Sequence, residues 1–284
     1  MTYHEMWHQL VPLYGEGEAK AMARMVYEVR FGLTLADLLL GKDTQLSADC
    51  QAQTEEIACR LLRQEPIQYV LGQAAFCGRW FHVEPGVLIP RPETEELVRW
   101  MIDQENQPHH LLDIGTGSGC IAITLAQELP EAEVTAWDIS ETALRIAQEN
   151  ADRLGVKVKF ERQDILQRTS DIKHQTSPTP QHPYDVIISN PPYICNKERA
   201  HMEANVLEYE PHTALFVPDD DPLLFYRAIA DYGQSALKPG GWIYFEINPL
   251  YAADLRHLLS MMSWHDIETK TDQYGKQRFV RCMK

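Results

Sequence analysis

The chain has 284 residues, a formal charge of −15 at pH 7, 44% hydrophobic residues and 24% charged ones. That is the size and balance of a soluble globular protein with one large domain and a small one, and the acidic excess, present on both sides of residue 75, argues against the basic field that duplex nucleic acid binding requires. No run of 18 apolar residues occurs and "MTYHEMWHQL" lacks a basic segment leading into an apolar core, so neither a membrane span nor a secretory signal is expected and the cytoplasm is the expected location.

The first elements read as helices. "TYHEMWHQLVPLY" opens with Thr2 and Glu5 at capping-box spacing, and Met6, Leu10 and Leu13 recur at helical intervals. "EAKAMARMVYEVRF" repeats the pattern until Gly32 ends it. "TLADLLLG" and "TEEIACRLLRQE" follow, the second stopped by Pro66, so residues 1–73 are expected to form a small helical bundle. Over 74–92 aromatic and β-branched residues around Pro85-Gly86 predict a linking β-hairpin. The rest, 93–284, opens on the helical "ETEELVRWMIDQ".

From residue 110 strand and helix alternate. "HLLDI", "EVTAWD", "VKVKF", "YDVIIS", "WIYFEI" and "KQRFVRCM" read as strands. Helical patterns separate most of them, including one with Ser140 as N-cap and Gly155 as its stop, and one with Pro222 in its first turn. That alternation predicts an α/β fold with a doubly wound, mostly parallel sheet, its last strand free to run antiparallel at an edge. The polar stretch 167–183 breaks the rhythm and reads as a mobile loop. The six cysteines never form C-x-x-C and the histidines show no H-E-x-x-H, so reduced core thiols and no metal are expected.

"LLDIGTGSGC" places Asp113, Gly115, Gly117 and Gly119 between the first strand of this sheet and the helix that follows. Glycines there let the backbone come close to a ligand that a Cβ would exclude. The next strand ends in Asp138, whose carboxylate can accept from both hydroxyls of a ribose. The spacing is G-x-G-x-G, not the dinucleotide G-x-G-x-x-G. Asp113 would repel a pyrophosphate and attract the ammonium of a methionine, so S-adenosylmethionine fits better than NAD. At the end of the third strand Asp164 is placed to accept from an adenine amino group, with Ile165 against the ring.

The fourth strand delivers "NPPY", Asn190 to Tyr193, at the same edge. Two prolines alone would merely end a strand. Asn190 before them and Tyr193 after them suit a planar NH2 group, either an amide or an exocyclic base amine, as methyl acceptor. Asn190 Oδ1 and the Pro191 carbonyl can grip its two hydrogens, Pro192 brings no competing N–H, and Tyr193 can stack on the flat group.

"DIGTGSG", "NPPYI", "YEPHTAL" and "EPIQYVLGQAAFCGRWFHVEPGVLIPRPETEEL" together resemble the release-factor glutamine methyltransferases, the HemK/PrmC family, along the whole chain. The resemblance implies a class I methyltransferase fold with a seven-stranded sheet and a helical N-terminal domain that helps grip the substrate. It implies methyl transfer to the side-chain N5 of the glutamine in the Gly-Gly-Gln loop of peptide chain release factors. It further implies cofactor contacts at Gly115, Thr116, Gly117, Ser118, Gly119, Asp138 and Asn190, and substrate contacts from Asn190 through Pro191 and Pro192 to Tyr193. Asn190, Pro191 and Tyr193 are the expected catalytic positions, and a monomer is expected. Methylation of another protein glutamine, or of adenine N6 in nucleic acid, would use the same trap. A cofactor-binding regulatory protein and an NAD-dependent oxidoreductase fit less well. The roles of Arg91, Glu210 and Glu246 stay unassigned at this level.

Overall fold

The computed structural model describes residues 1–168 and 183–284, so the loop expected at 167–183 falls almost wholly outside the described residues. These residues cluster into two compact units, Met1–Gln73 with Glu203–Tyr209, and Ala74–Met202 with Glu210–Lys284.

The first unit holds α1 (Tyr3–Phe31), α2 (Leu35–Leu39), α3 (Ala48–Leu62) and α4 (Ile67–Leu71). The two helices expected at the start join end to end in α1, which breaks at Gly15 (φ 75°, ψ 164°). Thr2 and Glu5 form the expected capping box: Thr2 Oγ1 accepts from the Glu5 amide at 3.3 Å and Glu5 Oε2 from the Thr2 amide at 2.7 Å. Met6, Leu10, Val26 and Tyr27 of α1 are fully buried with Leu61 of α3, which gives these short helices the apolar contact that propensity alone cannot supply.

In the second unit β1 (Gln73–Phe76) and β2 (Arg79–His82) make a hairpin. Its turn is Cys77-Gly78, not the Pro85-Gly86 pair the sequence suggested. Both turn residues have positive φ, 48° and 73°, which matches the right-handed twist of a two-residue hairpin, whereas proline holds φ negative.

Then come α5 (Pro92–Gln104), β3 (His110–Ile114), α6 (Cys120–Glu128), β4 (Glu133–Asp138), α7 (Glu141–Leu154), β5 (Lys159–Arg162) and β6 (Tyr184–Ser189). A short parallel pair, β7 (Ile194–Cys195) and β8 (Phe216–Val217), precedes α8 (Leu224–Ala236), β9 (Leu237–Glu246), α9 (Ala252–Met261), β10 (His265–Thr271) and β11 (Gln277–Met283). Seven strands form one sheet in the order β10-β11-β9-β6-β3-β4-β5, with β11 and β10 antiparallel. The sequence pattern predicted six of them. "HDIETKT" of β10 escaped because it is an edge strand with no buried residue, and its Asp, Glu and Lys are poor strand formers.

Both faces of the sheet are covered, which is why its central strands are nearly continuous apolar runs. Leu112, Ile187 and Ile243 pack toward Ile229 of α8 and Leu255 and Leu259 of α9. Their chain neighbours Leu111, Val186, Ile188 and Tyr244 face the other way, toward α5, α6 and α7. The register then decides what meets at the carboxyl edge. Ile114 pairs with Trp137 and with Ser189, and Ser189 pairs with Phe245. The following residues, Gly115, Asp138, Asn190 and Glu246, therefore emerge in one row, at the point between β3 and β6 where the winding reverses and open α/β sheets bind ligands. No helix among the described residues is long and apolar enough to cross a membrane.

Candidate active site

The glycine turn is built from backbone bonds. The amides of Gly115 and Thr116 both donate to the Trp137 carbonyl at 2.9 Å, Gly117 donates to Asp138 Oδ2 at 2.9 Å, and Gly119 to the Thr116 carbonyl at 2.9 Å. These four donors are committed to the turn itself and are not free to cradle a pyrophosphate. The glycines have two other uses. At Gly117 (φ +55°) a Cβ would meet no atom within 4 Å, so the turn faces open space there. At Gly119 (φ +81°) a Cβ would stand 2.8 Å from Ile123 Cδ1 and 3.2 Å from Ala147 Cα, so this glycine lets α6 and α7 approach. Gly119→Ala is expected to cost about 2–4 kcal/mol of stability through strain and overpacking. Urea unfolding checks this, and an unchanged midpoint would contradict it.

Asp113 is fully buried behind the turn. Oδ2 accepts from Thr116 Oγ1 at 2.6 Å, while Oδ1 makes no well-formed hydrogen bond. Burial lifts its pKa to about 7; the Thr116 hydroxyl and the Ala122 amide oppose that, and the Asp138 charge adds to it. Thr116 and Ser118 also point inward, 3% and 1% exposed, so the turn presents backbone to solvent rather than hydroxyls.

Asp138 does cap locally: Oδ1 accepts from the Ser140 amide and Oδ2 from that of Gly117, both at 2.9 Å. Each oxygen keeps a second lone pair. Burial raises its pKa, and these amides work against the rise. Asp164 is also partly a turn residue, its Oδ1 accepting from the Leu166 amide at 2.9 Å. Ile165 is buried in the cluster that contains Ile114 and Trp137, next to the row of strand ends.

Asn190 sits beside the glycine turn, its carbonyl oxygen 4.0 Å from where a Gly115 Cβ would be. Its Nδ2 donates to Thr94 Oγ1 at 3.1 Å. Thr94 donates in turn to Glu246 Oε2 at 2.6 Å, and Tyr193 donates its hydroxyl to Glu246 Oε1 at 3.0 Å. Asn248 Nδ2 fixes the Tyr193 carbonyl at 3.1 Å. Burial raises the pKa of Glu246, against the two hydroxyls and the Arg278 charge. One buried carboxylate thus links both ends of "NPPY".

Thr94 gave no signal in the sequence, because it lies 96 positions from Asn190 in a helix whose register looked merely amphipathic. Arg91 and Glu210 now have a place: Arg91 Nη2 meets Glu210 Oε1 at 2.5 Å, and Glu210 Oε2 accepts from the Ile89 amide at 3.2 Å. The pair holds the segment that leads into α5 and so into Thr94.

Two family models match the chain: the PrmC N-terminal domain over residues 9–72 and the methyltransferase small domain over 93–209. A release factor glutamine methyltransferase of Bacteroides thetaiotaomicron is 48% identical over 95% of this chain and 95% of its own length. One of Flavobacterium psychrophilum is 42% identical over 96% of this chain and 94% of its own. Among solved structures, a methyltransferase from Pyrococcus furiosus shares the fold with a TM-score of 0.52, at 15% identity over 84% of this chain and 99% of that one. With this level of identity along nearly its entire length, the chain belongs to the release factor glutamine methyltransferases.

Proposed function

We propose that the chain transfers a methyl group from S-adenosylmethionine to the side-chain N5 of the glutamine in the Gly-Gly-Gln loop of peptide chain release factors. The observation that carries the reading is the row of Gly115, Asp138 and Asn190 at one sheet edge, in a chain 48% identical to a release factor glutamine methyltransferase.

The residues fit the cofactor. Gly117 opens on empty space, the buried Asp113 has an oxygen without a well-formed partner, and Asp138 stands at the neighbouring strand end with lone pairs to spare. Asp138 would hold the ribose hydroxyls, and Asp164, through its second oxygen, the adenine amino group with Ile165 near the ring. Gly115 to Gly119 would admit the methionine portion, whose ammonium the negative field of Asp113 favours. When bound, S-adenosylmethionine supplies an electrophilic methyl on a sulfonium.

An amide nitrogen is a poor nucleophile because its lone pair is delocalised. Asn190 Oδ1 and the Pro191 carbonyl would accept its two hydrogens, orienting the nitrogen and stabilising the positive charge that grows during attack. Pro192 has no N–H to compete, and the double proline holds the Pro191 carbonyl in direction. Tyr193, its ring anchored through Glu246, covers the flat amide. On this reading the enzyme works as a monomer in the cytoplasm, in the last step of translation.

The test is incubation with S-adenosylmethionine and a bacterial release factor, followed by mass spectrometry of the Gly-Gly-Gln peptide. One added methyl on that glutamine is expected. Methylation elsewhere, or on RNA or DNA only, would sink the assignment.

A further inference from the structure

We propose that Thr94 and Glu246 are positioning residues: together they dictate which end of the Asn190 amide faces the substrate. The proposal rests on the reading above, in which Asn190 Oδ1 must be the end on offer. An asparagine amide has two ends of nearly equal size and opposite polarity, so shape cannot choose between them. With the amide reversed, an NH2 would face the substrate NH2, and the grip would become a repulsion.

Donor polarity makes the choice here. Thr94 has a single hydroxyl hydrogen, and it goes to Glu246 Oε2 at 2.6 Å. Toward Asn190, Thr94 can therefore only accept, and what it accepts from is Nδ2 at 3.1 Å. Oδ1 is left on the other side of the amide, where the described residues supply it no donor. As a carboxylate Glu246 can only accept, from Thr94 at Oε2 and from the Tyr193 hydroxyl at Oε1, and those two hydroxyls with the Arg278 charge favour that form against burial. Thr94 and Glu246 are 3% and 2% exposed, so water does not compete for the bonds between them, while the half-buried Asn190 keeps the far end of its amide open. The sheet register makes the arrangement rigid. Asn190 and Glu246 follow the paired residues Ser189 and Phe245 on adjacent strands, and Thr94 lies in the first turn of α5 behind Pro92.

The experiment compares Thr94→Val, similar in shape but without the hydroxyl, with Thr94→Ser, which keeps it. Turnover on a release factor, KM, affinity for S-adenosylhomocysteine and melting temperature are measured for both. Thr94→Val is expected to lower kcat about ten- to a hundredfold, the loss of one buried hydrogen bond with its orientation. KM and S-adenosylhomocysteine affinity are expected to stay within about twofold, and Thr94→Ser to restore kcat to within about threefold. Undiminished kcat in Thr94→Val, or an equal fall in Thr94→Ser, overturns the proposal. A second measurement needs no turnover and no destabilised variant. The two Asn190 side-chain amide protons are observed by NMR in wild type: the one donated to Thr94 is expected to exchange more slowly than its geminal partner, and equally fast exchange of both overturns the proposal. If the wild type leaves the release factor unmethylated while the proton donated to Thr94 is protected, the substrate reading fails and the positioning role stands.

Discussion

Asn190→Ala is expected to slow methylation of the release factor about 10²- to 10³-fold, or about 3–4 kcal/mol of barrier, the scale seen when one preorganised partner of a developing charge is removed. The reason lies in the electronic demand of the reaction. The substrate amide must surrender resonance as its nitrogen attacks, and the acceptors around its hydrogens are stronger partners in the transition state than in the ground state. The loss is therefore expected in kcat, with a smaller change in KM. Asn190→Asp is expected to do no better. It cannot donate to Thr94, and it brings a second carboxylate next to Glu246 in the adjoining strand register. Single-turnover kinetics with enzyme in excess over release factor and S-adenosylmethionine saturating, beside S-adenosylhomocysteine titration of each variant, separate the chemical step from cofactor binding. An Asn190→Ala enzyme with wild-type single-turnover rate would remove Asn190 from the mechanism.

The second large effect concerns Asp113 and pH. Its folded pKa of about 7 lies above its unfolded value, so folding favours the protonated form. The sign follows: below the unfolded pKa the carboxyl is neutral in both states and costs nothing. As pH rises from about 4 through about 7 the unfolded chain ionises freely while the buried group resists, and stability is lost. The upper bound on that loss is about 4 kcal/mol, from roughly three pKa units at about 1.4 kcal/mol each. Asp113→Asn keeps an oxygen for the Thr116 hydroxyl and does not ionise, so it should lose less stability than wild type between pH 5 and pH 8 in urea titrations. Parallel slopes would show that Asp113 is ionised throughout and solvated better than its burial suggests. The same linkage reaches the cofactor. A bound ammonium favours the carboxylate, so S-adenosylhomocysteine is expected to bind more tightly as pH rises through about 7 and to release a proton as it binds below that pH. Calorimetry in buffers of different ionisation enthalpy counts those protons.

The local elements of this protein were legible in its sequence because each rests on short-range chemistry. Thr2 with Glu5, Ser140 before its helix and Gly32 and Gly155 after theirs are caps made within a few residues. The alternation of apolar strands with amphipathic helices determined a doubly wound sheet, and Asp113, Asp138 and Asn190, each at or just past a strand end, were marked by their position alone. Tertiary structure decided whatever depended on partners distant in the chain. It moved the hairpin turn to Cys77-Gly78, where two positive φ angles suit the strand twist. It added β10, an edge strand with no buried face to leave a pattern. It turned the amides of Gly115, Thr116 and Gly117 inward to the Trp137 carbonyl and Asp138 rather than out toward a ligand. It also joined Asn190 to Thr94 and Glu246, separated by 96 and 152 positions along their two hydrogen bonds. No periodicity records such a link. Which residue accepts a buried amide proton is set by the register of β6 against β9 and by the packing of α5, and those exist only once the chain has folded.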